Sequence, residues 1–396
     1  MSTSRFTLIC ASAFALASCS SGSETEQEVF CPDPAYRDSV LVSNHTISYG
    51  QSKDEEPFDD AYYAFVADEA QMQKTSEESL AAFRKKVAQM PQQERSYMQK
   101  CYTDFADLAT MAEYAYKDSD VKLPQGWTDL GQTRADVAEV IDRYCASGLL
   151  SSGLKCSLIS RGDRYVLAFA GTDFPADWKD PVQIMGFVAD AYEDVDGALN
   201  EETTQVGRAS RMVAELISKC GIPQDKLEFA GHSLGGRLSS EMAVKYGCPA
   251  VIFNAAGVSP EVYDVYVAQR KNPSSSRAGY IIDITSANDP LTCAQKYMSG
   301  SSDPYLSSVA GMLTDDKDIA SSLLSLGKQA LGMAAEYASQ KSSVLGSLLG
   351  SAEEYYNRDY KALGARLIVK ENMGGHGITP LVEALRSRAK ICSSVN

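Results

Sequence analysis

Residues 226–246, Lys-Leu-Glu-Phe-Ala-Gly-His-Ser-Leu-Gly-Gly-Arg-Leu-Ser-Ser-Glu-Met-Ala-Val-Lys-Tyr, decide the fold of this 396-residue chain. The apolar residues Leu227, Phe229 and Ala230 indicate a short buried strand, and apolar residues recur at helical spacing over 238–246. Glycines flank a serine in the five residues between them, 231–235. The stretch therefore predicts a strand, a tight turn at a serine, and a helix.

The central pentapeptide fits the G-x-S-x-G pattern, in which a sharp turn lifts a serine hydroxyl clear of the sheet. The serine here is Ser233, and Gly231 and Gly235 leave room for the close approach of strand and helix. The same five letters also occur in glycine-rich turns that do no chemistry. The flanking strand and helix, together with a second glycine at Gly236, favour a nucleophilic serine.

Composition and charge restrict the classes of function. The chain is 44% hydrophobic and 22% charged, which indicates a globular protein with a sizeable core, in one large α/β domain with additions or in two domains. Its net charge of −15 argues against a nucleic-acid partner and disfavours electrostatic attraction to anionic lipid. Because no Cys-x-x-Cys pair or histidine cluster occurs, we expect no metal site. The mechanism of a nucleophilic serine implies no organic cofactor either.

The N-terminus has the pattern of an export signal. Arg5 precedes an apolar stretch at 6–17 that is too short to span a bilayer. It ends in Leu-Ala-Ser-Cys, which resembles a bacterial lipobox. We expect a signal peptide at 1–18 and lipidation of Cys19, which would anchor an exported protein to a membrane that faces the periplasm or the cell exterior. An ordinary secretory signal is the alternative.

The ten cysteines agree with export. Apart from Cys10 and Cys19, they are Cys31, Cys101, Cys145, Cys156, Cys220, Cys248, Cys293 and Cys392. An even number in an oxidising compartment favours disulfides. Cys220 and Cys248 end the helices before and after the Ser233 turn and form the first predicted pair. Cys145 and Cys156 bracket a loop rich in serine and glycine and form the second. Buried free thiols are the alternative.

The rest of the chain predicts an α/β fold with helical additions. A hairpin-like pair of strands is predicted at 156–160 and 164–170, and further strands at 249–254, 280–285 and 366–370. Helices separate these strands, which indicates a mainly parallel sheet flanked by helices. The predicted segments are a lipidated tether and irregular region at 19–54, an N-terminal helical extension at 55–100 interrupted at Pro91, a main domain at 101–392, and a helical insertion at 300–360.

A serine nucleophile needs a base, and the base needs an acid that fixes its tautomer. In the α/β-hydrolase fold the chain order is serine, then acid, then histidine. Of the three histidines, His45 precedes the turn, His232 lies inside it, and His376 alone follows. The sequence therefore predicts His376 as the base.

Two aspartates compete for the role of the acid. Asp289 follows the strand predicted at 280–285, where the acid is expected, and Asp283 lies inside that strand. We favour Asp289. The backbone N–H of Leu234 and the loop residue Thr172 are the predicted oxyanion donors, although the Gly-Thr-Asp sequence around Thr172 is also compatible with a plain turn.

The sequence resembles the class 3 (fungal-type) lipase group of α/β-hydrolases. The motifs that carry the resemblance are Phe-Ala-Gly-Thr at 169–172, Asp-Trp-Lys-Asp at 177–180, Gly-His-Ser-Leu-Gly-Gly at 231–236, Asn-Asp-Pro at 288–290, and His376. The resemblance covers about 100–300 and 361–392. It implies hydrolysis of carboxylic esters in acylglycerols or phospholipids, with an interfacial lid.

These inferences predict an exported, membrane-anchored serine hydrolase that cleaves lipid esters through an acyl-enzyme. Two alternatives remain: a hydrolase-like scaffold that binds without turnover, and an acyltransferase that uses the same triad. The segment 305–350, which enters between acid and base and is poor in charge, is either a lid that meets lipid or a permanently packed subdomain. The oligomeric state is not predicted.

Overall fold

The computed structural model describes residues 69–117, 120–145, 154–171, 205–289, 291–292 and 362–394. The strands are β1 Thr128–Asp129, β2 Cys156–Arg161, β3 Arg164–Phe169, β4 Leu227–His232, β5 Ala250–Phe253, β6 Ile281–Ser286 and β7 Ala365–Val369. The helices are α1 Glu69–Ala88, α2 Gln92–Tyr114, α3 Leu130–Thr133, α4 Ala135–Cys145, α5 Gln205–Ser218, α6 Leu234–Tyr246, α7 Pro260–Lys271 and α8 Ile378–Ser394.

The seven strands form one sheet in which spatial order follows chain order. β1, β2 and β3 pair antiparallel, whereas β3 to β7 pair in parallel. The predicted hairpin of β2 and β3 is confirmed, and so is the mainly parallel sheet flanked by helices. The chain therefore has an α/β-hydrolase-like fold.

The central strands are buried on both faces, as parallel strands covered by helices must be. In β4, Leu227 and Phe229 pack into a core shared with Met212 of α5 and Met242 of α6. Since successive side chains of a strand point to opposite faces, Glu228 faces the other side, where α2 packs. Strand β4 thus lies between two helical layers.

Helix α2 is part of this fold. It begins directly after Pro91, which confirms the predicted interruption of the N-terminal helices. The helix runs without a break across residues 100 and 101, and Met98 and Cys101 are both buried. A domain boundary between residues 100 and 101 would therefore lie inside one helix.

A buried ion cluster ties α2 to the sheet. Arg164 of β3 donates to both carboxylate oxygens of Asp104 of α2, and its Nη2 lies 2.6 Å from a carboxylate oxygen of Glu228 in β4. Burial alone would lower the pKa of Arg164, but the two carboxylates raise it well above its ordinary value. The guanidinium is therefore charged and joins three elements at the end of the sheet where β3 and β4 begin.

The structure corrects the prediction of disulfides. Cys220 and Cys248 are free thiols whose sulfurs contact different carbonyls, those of Asp136 and Gln224 respectively, each at 3.5 Å. The predicted pair is wrong because a position at the end of a helix does not determine where the side chain points.

Cys145 and Cys156 are brought together as predicted, but they are not bonded. Their sulfurs are 3.5 Å apart, well beyond the roughly 2.05 Å of a disulfide. In the structure both are thiols, at the end of α4 and the start of β2.

Several predictions lie outside the described residues. They are the signal peptide, the lipidation of Cys19, the tether at 19–54, the oxyanion donor Thr172, and the insertion at 300–360. None of the described helices is long and apolar enough to cross a membrane.

We predict that Arg164→Leu destabilises the fold by about 3–5 kcal/mol, because it leaves two buried carboxylates without their shared cation. The matched control is Arg143→Leu, which removes a half-exposed arginine that bridges Glu139 and Glu215 and should cost at most about 1 kcal/mol. Urea unfolding of both variants measures the difference. Equal losses in the two variants would contradict the prediction.

Candidate active site

The serine turn has the geometry that the sequence predicted. Ser233 lies between β4 and α6 with φ 59° and ψ −126°, a conformation that residues other than glycine rarely adopt. Hydrogen bonds fix it on both sides: its N–H donates to the Phe253 carbonyl at 3.1 Å, and its carbonyl accepts from the Gly236 N–H at 2.9 Å. The strained turn is held by its surroundings and places Ser233 at the carboxyl edge of the sheet.

Two glycines make this turn sterically possible. A Cβ atom at Gly231 would lie 2.1 Å from the Gly235 carbonyl oxygen, and one at Gly235 would lie 2.2 Å from the Phe169 carbonyl oxygen. Both distances are much shorter than van der Waals contact. Any side chain at either position would separate β4 from α6 or α6 from β3.

The structure brings His376 and Asp289 together. His376 Nδ1 lies 2.7 Å from Asp289 Oδ1, and both side chains are buried. The other oxygen, Oδ2, accepts from the Thr292 N–H at 2.8 Å and from its hydroxyl at 2.5 Å. The Asp289 carboxyl group therefore faces Nδ1 of His376 and leaves Nε2 as the nitrogen that can take a proton.

Asp283, the competing acid, has a different partner. It lies beside Arg366 of β7 in the strand register, and the Arg366 Nε donates to its carboxylate at 2.8 Å. Burial raises the pKa of Asp283, while the charge of Arg366 acts in the opposite direction. The geometry therefore places Asp289, and not Asp283, next to His376.

Three buried side chains hold the loop that carries His376. His232 Nε2 lies 2.7 Å from the His376 carbonyl oxygen, and Asn254 Nδ2 donates to the same oxygen at 3.1 Å. Asn288 Oδ1 accepts from the Gly375 N–H at 3.1 Å. These roles were not predicted from the sequence, although Asn254 follows β5 directly and Asn288 follows β6 by two residues, at the edge where Ser233 lies.

His232 is neutral, with its proton on one nitrogen. Burial, reinforced by the neighbouring His376, lowers the pKa of His232 to about 3. Its Nδ1 lies 2.7 Å from the Tyr116 hydroxyl, beyond the end of α2. Its ring centroid is 4.8 Å from that of His376, so the residue before the nucleophile contacts the predicted base.

One of the two predicted oxyanion donors lies within the described chain. Leu234 is the first residue of α6, where backbone N–H groups have no partner inside the helix. Thr172 is not described, but its neighbour Gly171 closely approaches Ser233. A Cβ atom at Gly171 would lie 2.8 Å from Ser233 Cβ, so the chain enters the predicted oxyanion loop in contact with the serine.

A comparison with known families identifies the family to which the chain belongs. Residues 107–343, more than half of the chain, match the model of a phospholipase-like family that is described as the Tle-like phospholipase domain. The chain belongs to this family. Ser233 and Asp289 lie within the matched residues of the Tle-like phospholipase domain, whereas His376 lies beyond them.

One relative was identified among known proteins. Extracellular phospholipase A1 of Serratia liquefaciens is 34% identical over 149 residues, which are 37% of this chain and 42% of that protein. The chain thus matches less than half of the length of this relative. The prediction of a lipase- or phospholipase-like relationship is confirmed, and the narrower resemblance to class 3 lipases stays a prediction. Within the described ranges of the Tle-like phospholipase domain, no group of histidine, cysteine or acidic side chains is arranged to hold a metal ion.

We predict that Asp289→Asn lowers kcat by about 10⁴-fold, because an amide cannot hold the His376 proton in place or stabilise an imidazolium. Asp283→Asn is the matched control, since it makes the same chemical change six residues earlier, at a side chain bound to Arg366. Its kcat should stay within about threefold of the wild type, and its defect should be in stability. Ester hydrolysis measures kcat, and thermal unfolding measures stability, for both variants. Loss of activity in Asp283→Asn alone would contradict the assignment.

Proposed function

We propose that this chain is a serine hydrolase that cleaves carboxylic esters of phospholipids. The observation that carries the proposal is the 2.7 Å contact between Asp289 and His376 in a loop tied to the residue before Ser233. A strained serine, a histidine and a buried aspartate at one edge of an α/β-hydrolase-like sheet are the parts that acyl transfer needs.

The reaction begins with attack by Ser233 Oγ on the acyl carbonyl carbon, while His376 Nε2 takes the hydroxyl proton. Asp289 stabilises the resulting imidazolium. Negative charge develops on the carbonyl oxygen, towards which the Leu234 N–H and Thr172 donate. Loss of one such donor typically costs about 2.7–4 kcal/mol of transition-state stabilisation.

The tetrahedral intermediate collapses when His376 gives its proton to the leaving alcohol oxygen, which releases a lysophospholipid and leaves an acyl-enzyme on Ser233. Water then attacks the acyl carbonyl, with His376 as base, and the fatty acid leaves. This sequence needs no metal or organic cofactor.

The proposed substrate is a phospholipid cleaved at the sn-1 ester. The family and the relative named as a phospholipase A1 support this choice. The net charge of −15 favours zwitterionic over anionic lipid surfaces, because an acidic protein is repelled by an acidic membrane.

We also propose that the protein is exported and anchored through lipidated Cys19. The lipobox-like Leu-Ala-Ser-Cys after a short apolar stretch supports this, and the relative from Serratia is named as extracellular. The segment 305–350 is proposed to meet lipid near the site, because it enters the chain between the acid and the base.

Ser233→Ala should lower kcat by about 10⁶-fold and abolish labelling by a fluorophosphonate probe, since triad members act as a unit. The matched control is Ser240→Ala in α6, which removes a buried hydroxyl bonded to the Gly236 carbonyl and should be labelled like the wild type.

The substrate is tested with phosphatidylcholine vesicles that carry palmitoyl at sn-1 and oleoyl at sn-2. Release of palmitate by the wild type supports the proposal, and release of oleate alone overturns the position of cleavage. A wild-type protein that neither reacts with the probe nor releases fatty acid would be a binding scaffold. Acyl transfer to an added alcohol without free fatty acid would identify an acyltransferase.

We predict that Cys19→Ala moves the protein from the membrane fraction to the soluble exported fraction, because it removes the residue that would carry the lipid. The control is Cys10→Ala, inside the apolar stretch, which should fractionate like the wild type. Unchanged membrane association of Cys19→Ala would contradict a lipid anchor at this residue.

A further inference from the structure

His232 connects three segments that meet at the proposed catalytic centre. It ends β4 and directly precedes Ser233. Its Nε2 reaches the His376 carbonyl oxygen at 2.7 Å, and its Nδ1 reaches the Tyr116 hydroxyl at 2.7 Å. The Tyr116 hydroxyl lies in turn 2.7 Å from where a Cβ atom of Gly171 would stand, at the entrance to the predicted oxyanion loop.

The hydrogen bonds of His232 fix the position of every proton in this group. A carbonyl oxygen can only accept, so the single proton of neutral His232 is on Nε2 and is donated to His376. The Nδ1 atom then has a lone pair, and the Tyr116 hydroxyl must donate to it. The His376 carbonyl oxygen therefore selects the tautomer of His232 that carries its proton on Nε2, and the Tyr116 hydroxyl stabilises that tautomer by donating to Nδ1.

We propose that His232 is a positioning residue for the base His376 and that Tyr116 is the donor that maintains its tautomer. The proposal rests on the function proposed above. Because His232 and Ser233 are adjacent, one peptide unit and one hydrogen bond connect the nucleophile to the main chain of the base. Asn254 also binds the His376 carbonyl oxygen, but it follows β5 and is connected to Ser233 through hydrogen bonds, such as that from the Ser233 N–H to the carbonyl of the residue before Asn254, rather than through one peptide unit.

A neutral side chain at this position also suits the chemistry. Within the part of the chain that the structure describes, the ionisable groups that face His232 are the Tyr116 hydroxyl and the His376 ring, with the Asp289 carboxylate behind His376. A cation 4.8 Å from His376 would oppose the imidazolium that forms when Ser233 gives up its proton. The neutral donor therefore holds the base without opposing its protonation.

The test compares two substitutions of His232, and combines them with a substitution of Tyr116. His232→Gln keeps an N–H donor near the position of Nε2, whereas His232→Leu removes it. Tyr116→Phe removes the hydroxyl that stabilises this tautomer by donating to Nδ1. Tyr114→Phe is the matched control, because it removes a half-buried hydroxyl near the same helix end that binds Asp129 and Gln132 and has no contact with His232.

Hydrolysis of soluble p-nitrophenyl butyrate separates kcat from KM without an interfacial step. We expect His232→Leu to lower kcat by about 10²-fold with KM within about twofold, the size of effect that a misplacement near 1 Å produces. His232→Gln should recover at least about tenfold of that loss. Tyr116→Phe should lower kcat by about three- to tenfold in the wild type and have no effect in His232→Gln, because an amide has no tautomer to select.

Three results would overturn the proposal: equal kcat in His232→Gln and His232→Leu, an effect confined to KM, or an equal effect of Tyr116→Phe in both backgrounds. If His232→Leu does not fold, the effects of Tyr116→Phe in the wild type and in His232→Gln still test the proposal. Ser233-dependent hydrolysis by the wild type is measured first. A wild type without that activity refutes the proposed function, whereas an active wild type with unaffected His232 variants refutes only the positioning role.

Discussion

The steric restriction at the serine turn is the constraint on which the rest of the structure depends. Gly231 and Gly235 are positions where a single carbon atom would overlap the main chain of a neighbouring segment. Their lack of side chains lets β4, α6 and β3 approach closely, and this close approach holds Ser233 in a backbone conformation that it would not otherwise adopt. Ser233, the proposed nucleophile, is thus positioned by main-chain packing, and the loop that carries His376 is built against the residue that precedes Ser233.

Much of the fold was predictable from local patterns. Alternating or continuous apolar residues identified β2 to β7, because burial of one or both strand faces imposes a spacing of apolar residues that is visible within a single segment. The two-residue strand β1 is too short to show a period, and α7 has only Tyr266 fully buried, so its pattern is weak. The pairing of Cys220 with Cys248 failed for another reason: spacing along the chain identifies the end of a sheet but not the direction of a side chain.

The candidate site was predictable where chain order restricts the choice. Only one histidine follows Ser233, so His376 needed no three-dimensional information. Asp283 and Asp289 could not be separated with certainty because they lie on and just after the same strand, and only the partners of their carboxylates distinguish them. The contact between Tyr116 and His232 joins positions 116 residues apart and has no local signature.

The adjacency of β6 and β7 has an evolutionary consequence. Asp289 and His376 are 87 residues apart in the chain, yet they follow strands that are hydrogen-bonded neighbours. The free-energy cost of closing a connection rises only slowly with its length. Changes in the length of the intervening segment are therefore compatible with an unchanged pairing of Asp289 and His376, so that this segment can diverge in evolution while the pair is retained.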